Sequence, residues 1–431
     1  MRKISYLHNI KTMQSTNFSI SSNKLHHVDG LRGVACLMVV FSHLALIFYP
    51  GLHDSNLINN NHIISFIFNS PLSFFYSGTA AVYIFFTLSG FILSHSFMNG
   101  KDILENATSM VTKRYFRLAM PAIFSCLFCL IVLTGDIPNR EMLSSWIQSY
   151  KVDNPSILNA LYSGGISAFF GDGSSYNPVL WTMKIELIGS FLTYFMCTTL
   201  IRSNNKHLVI LFFGLMFFLS TISQKEKYGY IAFLFGIYIY FAEFNLKKIP
   251  ALILLALGIY AGGVHYGSYP YIHTIYYSRF FLNGQESNAY ILFNFISGIL
   301  ITTTILKNNT FKNAFSNTLF SYMGKVSFSV YLFHLPILVI TAPLIFNALN
   351  NRGFGYATCA FTASIMSIFL IYALSNIAFK LIDKPSMIFA KKYLCFYSLI
   401  NQPLKNTYYR RKENNKQKLS ECCLPYLHSL S

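Results

Sequence analysis

Apolar runs recur along this chain, each broken by a short polar or basic stretch. Read against their flanks, they predict ten helical segments, at about 31–50, 74–97, 118–134, 179–200, 207–222, 228–244, 250–264, 289–306, 327–347 and 357–381. Most reach the roughly 20 apolar residues that carry an α-helix across a bilayer, and the seventh is short. The longest connection is 135–178. There Gly164-Gly165, Gly171, Asp172 and Gly173 precede Tyr-Asn-Pro, and the expectation is an irregular, mobile cover.

Composition agrees with the periodicity. Hydrophobic residues make up 53% of the 431 and charged residues only 11%, against about a quarter charged in soluble proteins. The fold class expected is therefore an all-α polytopic integral membrane protein with about ten transmembrane helices in contact with the lipid bilayer. Residues 1–28 are polar and basic with no apolar core ahead of a small-residue cleavage site, so the first span is expected to serve as the export signal. The expected organisation is an N-terminal segment at 1–28, a membrane domain at 29–392 and a basic tail at 393–431.

The net charge of +18 does not point to nucleic acid, because the basic residues lie between apolar segments and in the tail rather than on one soluble face. Putting the N-terminus in the cytoplasm assigns 26 of the 33 Lys and Arg to inner segments and only six to outer loops. The positive-inside rule thus predicts that both termini are cytoplasmic. Cys126 and Cys129 fall inside an apolar span with no second pair at zinc-ligand spacing, and no metal is expected. Cys422-Cys423 in the tail is at most a weak acylation candidate.

A few groups are too polar for a lipid-facing helix. Arg32 and His43 are eleven residues apart, three turns plus about 20°, so they share one face about 16 Å apart. Ionisable groups at such depth point to a functional site, although a snorkelling Arg and a hydrogen-bonded His fit the same pattern. Arg114 and Arg117, three apart at the start of the third span, suit either a phosphate grip or a positive-inside anchor. In the fourth span Lys184 and Glu186 point in different directions, so Glu186 needs a partner on another helix. His334 lies near mid-membrane beside Pro336, which loosens the helix ladder. Gly324-Lys325 lacks the spacing of a phosphate-binding loop.

Taken in order, several blocks resemble acyltransferase family 3, the integral membrane enzymes that O-acylate bacterial surface polysaccharides and related acceptors. They are Asp29-Gly-Leu-Arg32 with His43, then Gly78 through Phe91 including Ser89, Arg114-x-x-Arg117 with Pro121, and Leu180-Trp181-Thr-Met-x-x-Glu186. Gly324 through His334 with Ser327 and Tyr331, and Asp383-Lys-Pro385, complete the set. Three positions depart from the family pattern: Lys184 for a small or neutral residue, Leu187 for a second acid, and Asp383 for Glu.

The resemblance implies transfer of an acetyl group from acetyl-CoA, taken from the cytoplasmic side, to a sugar hydroxyl of a cell-surface or lipid-linked glycan such as O-antigen or exopolysaccharide, at a bacterial inner membrane. It makes His43, Glu186 and His334 the candidate catalytic residues. Arg32, Arg114, Arg117, Ser89, Trp181 and Tyr331 become candidates for donor or substrate binding. His43 is the expected base, with a carboxylate such as Glu186 fixing its tautomer; an acyl-enzyme on His43 or Ser42 stays open. The competing reading is a proton-coupled transporter or flippase, with His43, Glu186 and His334 as the relay and Arg32 as the substrate anchor.

Overall fold

The computed structural model describes residues 25–100, 103–134, 140–152, 155–278 and 286–390. Most of the 1–28 segment and all of the 393–431 tail, with Cys422 and Cys423, lie outside the described residues. Among the described residues, helices sit at the ten apolar runs: α1 His26–Phe48, α2 Gly78–Met98, α3 Ile103–Leu133, α4 Thr182–Arg202, α5 Lys206–Leu219, α6 Gln224–Phe241, α7 Lys248–Gly262, α8 Glu286–Lys307, α9 Thr318–Asn350 and α10 Tyr356–Ala378. No strand occurs among the described residues.

Among the described residues seven helices are long and apolar enough to cross a membrane: α1 to α4 and α8 to α10. The expected ten is thus not reached on length and hydropathy. α5 and α7 have only 14 and 15 residues, and α6 opens on Lys225, Glu226 and Lys227. A hydropathy reading also misplaces the start of α3, which begins at Ile103 rather than near 118. Arg114 is consequently eleven residues into its helix, about 16 Å from the end at a rise of 1.5 Å per residue.

The core is built on α1 and α9. Their backbones approach so closely that a Cβ on Gly33 would lie 2.7 Å from that of Met323, and one on Gly324 would collide with the backbone of Asp29. Such contacts without side chains are how helices associate where lipid supplies no hydrophobic drive. Gly324 is thus a packing residue. The Cys36 thiol reinforces the pair by donating to the Ser327 carbonyl at 3.3 Å. α2 meets α6 in the same way, with Gly90 against the Phe233 carbonyl and Gly236 against that of Thr87. In α7, Gly258 accepts from the Ser297 hydroxyl of α8 at 2.7 Å, so the Gly258-x-x-x-Gly262 spacing is a helix contact.

The long connection between α3 and α4 is ordered where it is described. Short helices occupy Ser145–Gln148, Ile157–Tyr162 and Ala168–Phe170. The hydroxyl of Tyr150 donates to the Tyr176 carbonyl at 3.0 Å, and that of Tyr176 to the Ser156 carbonyl at 3.0 Å. Tyr150 and Tyr176 thus staple from within a segment whose sequence pattern carries no period. Asn177 fastens its end. Pro336 has no N–H for the carbonyl of Leu332, four residues back in α9, and the Asn177 amide donates to that carbonyl instead, at 2.8 Å.

Candidate active site

Two polar centres share the interior between α1, α2, α3, α4 and α9. The first is a cavity of about 90 Å³ whose wall includes Arg32, Ser89, Arg114, Arg117, Glu186 and Tyr331. Five helices contribute these six side chains. Three guanidiniums thus face one carboxylate.

Each charge has a distinct setting. Arg114 forms an ion pair with Glu186 and donates through Nε to the Ser190 hydroxyl at 2.8 Å. Ser89 donates to the same carboxylate at 2.7 Å. Glu186 therefore has the partner on another helix that its burial requires, and Lys184, pointing away, pairs with Glu226 at 2.8 Å. Among the described residues neither Arg32 nor Arg117 makes a salt bridge. The nearly buried Asp383 lies within electrostatic reach of both. The cavity wall thus carries more positive than negative side chains, three guanidiniums to one carboxylate.

The second centre is a pair of imidazoles. His334 is fully buried, and its Nδ1 lies 2.8 Å from the Tyr331 carbonyl and 3.1 Å from that of Val330. A carbonyl only accepts, so in the neutral ring Nδ1 carries the proton and Nε2 the lone pair. That Nε2 lies 3.1 Å from Nδ1 of His43. The His43 Nδ1 also lies 3.0 Å from the Val39 carbonyl. Facing two acceptors, it must be the N–H. The network thereby assigns His43 the tautomer whose Nε2 is a bare lone pair, with no hydrogen bond among the described residues.

This corrects the expected pairing of Glu186 with His43: the group that orients His43 is His334, and Glu186 is held at the arginines. The three residues of the transporter relay likewise form no continuous chain, since no hydrogen bond joins Glu186 to either imidazole among the described residues. Trp181 is not in the cavity wall; Lys225 covers its ring, 5.0 Å from the centroid. Tyr331 joins the centres. It lines the cavity, its ring centroid is 6.1 Å from that of His334, and its hydroxyl donates to the Val179 carbonyl at 2.9 Å.

Sequence reasoning passed over Trp146. Its indole packs on His43 with centroids 5.5 Å apart and planes tilted by 35°. It belongs to a four-residue helix with no apolar period, so only its residue type marked it.

The geometry thus gives a helical protein with membrane-length apolar helices whose interior holds an arginine-lined cavity and an oriented pair of imidazoles. Residues 25–376 match the family model of the acyltransferase 3 domain, described as an acyltransferase domain. The chain belongs to acyltransferase family 3 and is a multi-pass membrane acyltransferase. Neither a curated protein nor a solved structure matches it.

Proposed function

We propose that this acyltransferase moves an acetyl group from acetyl-CoA to a sugar hydroxyl of a cell-surface or lipid-linked glycan, in the inner membrane of a bacterium with both termini cytoplasmic. The observation that carries the reading is the Nε2 of His43, bare among the described residues and oriented by His334, together with a cavity whose Arg32 and Arg117 make no salt bridge among the described residues. Arg32 and Arg117 hold the donor's phosphates, and Arg114 is kept in place by Glu186, Ser89 and Ser190. The thioester reaches the imidazole pair past Tyr331.

In the transfer, the acceptor oxygen attacks the thioester carbonyl as its proton passes to Nε2 of His43. The C–O bond forms, the C–S bond breaks, and His43 returns the proton to the departing thiolate, leaving free coenzyme A. A neutral imidazole suits both halves of this exchange near pH 7. His334 acts through His43 as a positioning residue.

The test is release of free thiol from acetyl-CoA by the purified full-length protein in nanodiscs, alongside O-acetyl analysis of surface glycans from cells with and without the gene. Wild-type protein should release thiol, His43→Ala should not, and glycans from cells lacking the gene should lose O-acetyl groups. Equal thiol release by wild type and a well-folded His43→Ala would remove His43 from the chemistry. Unchanged glycans would remove the acceptor class.

A further inference from the structure

The described outer connection is braced around one side chain. The Arg140 guanidinium donates to the carbonyls of Tyr150 at 3.0 Å and Ile147 at 3.3 Å. Gln148 donates to the Leu143 carbonyl at 2.9 Å. The backbone N–H of Ser144 reaches the Ile47 carbonyl near the end of α1, at 3.3 Å, and Ile147 is fully buried. These contacts fix the Ser145–Gln148 helix against α1 and lay the indole of Trp146 on His43. Yet Trp146 itself is only half buried, so part of its surface remains on offer. It arrives from the connection that the charge distribution assigns to the outer face, whereas the arginine cavity meets the imidazole pair through Tyr331.

We propose that Trp146 is the acceptor-positioning residue: an indole platform on which the apolar face of a sugar ring packs while one of its hydroxyls reaches Nε2 of His43. This rests on the acyltransferase reading above. A flat amphipathic ring gives large contact at low entropic cost, and its rigidity orients the ligand where binding alone does not. The same surface displaces water, the competing nucleophile. When water attacks instead of the sugar, the C–S bond breaks equally, and the products are acetate and free coenzyme A.

The experiment therefore reads a partition. Full-length protein in nanodiscs is given acetyl-CoA and a mixture of the methyl glycosides of glucose, galactose, mannose, rhamnose and N-acetylglucosamine. O-acetylated glycoside is measured by mass spectrometry and total free coenzyme A by thiol assay. The expected result is that Trp146→Ala and Trp146→Leu lower the ratio of acetylated glycoside to free coenzyme A at least tenfold. Trp146→Phe, which keeps a ring, should hold the ratio within threefold of wild type. An unchanged ratio in the Ala and Leu variants would overturn the platform, as would loss of both products in both, which would make Trp146 a folding residue. A wild-type protein that releases thiol but acetylates none of the glycosides would overturn the sugar-ring class. One that leaves acetyl-CoA intact would instead overturn the acyltransferase reading on which the proposal rests.

Discussion

Nε2 of His334 on α9 lies 3.1 Å from Nδ1 of His43 on α1, and the two backbone carbonyls on its far side dictate which ring is the donor. Removing the base itself should lower turnover by about 10²–10⁴-fold, the range of a positioned acid or base. His334→Ala should lower kcat by roughly 10²-fold with the donor KM little changed, because the His43 tautomer is then unspecified. His334→Gln, whose amide oxygen still accepts, should recover most of that loss. Steady-state kinetics of the three variants are the check. A Gln variant as poor as Ala would reduce His334 to packing.

Arg117 separates the phosphate grip from the membrane anchor. As a grip, its loss weakens acetyl-CoA binding by about 1.5–3 kcal/mol, or roughly 10- to 150-fold. Arg117→Lys should rescue only partly, since an ammonium keeps the charge and loses the planar fork. An anchor would accept Lys fully. Donor affinity by titration decides between them, and wild-type affinity in Arg117→Ala would leave the residue as an anchor.

Arg114 should behave differently from Arg117 because it is already paired. Arg114→Ala strands a carboxylate whose side chain is only 14% exposed, at a cost of about 3–5 kcal/mol for a broken buried pair. Adding Glu186→Gln removes the stranded charge and should restore much of the loss. Thermal unfolding of the single and double variants in one detergent measures this. A double variant no more stable than Arg114→Ala would show that the pair does not govern stability.

The charge distribution makes a topological prediction. A cysteine at the exposed Asn56 should react with a membrane-impermeant maleimide added to intact cells, and one at the exposed Asn204 should not. The described native cysteines, Cys36, Cys126, Cys129, Cys197 and Cys359, are all buried. Reversed labelling would turn the molecule over and move donor entry to the other face.

Glu226 gives a pH dependence outside the apolar stretch of α6. Burial raises its carboxyl, but hydrogen bonds from Lys184 and Ser223 outweigh that and hold it below the ordinary glutamate range. A depressed carboxyl contributes stability that is present above its unfolded pKa of about 4.3 and is lost as pH falls through the folded value. Thermal stability of the wild type should therefore drop more between pH 5 and pH 3 than that of Glu226→Gln, by about the single proton involved. Equal slopes would show that the Lys184–Glu226 pair is not linked to folding.

Much of the frame was legible in the chain itself. Ten apolar runs gave the helix positions, and a spacing of eleven put Arg32 and His43 on one face of α1, where Arg32 lines the cavity and His43 meets His334 of α9. Other features carried no local signal. The first turns of α3 are polar, so hydropathy hid them and put Arg114 at a helix start when it lies three turns into α3. Glu186 required a partner somewhere, but burial names no partner, and both His43 and Arg114 were eligible until the helices were packed. Trp146 and Asn177 lie in an aperiodic connection, where pattern gives no direction to a side chain.

The bond from Asn177 to the Leu332 carbonyl couples the connection that carries Trp146 to the helix that carries His334. Pro336 leaves an acceptor vacant and Asn177 occupies it, so the two stretches are complementary in the manner of a lock and its own key. Exchanging residues 140–178 between family members to redirect acceptor choice should then succeed only when the bond at this joint is transplanted intact. A graft lacking it would carry over the indole but not its registration on the imidazole pair.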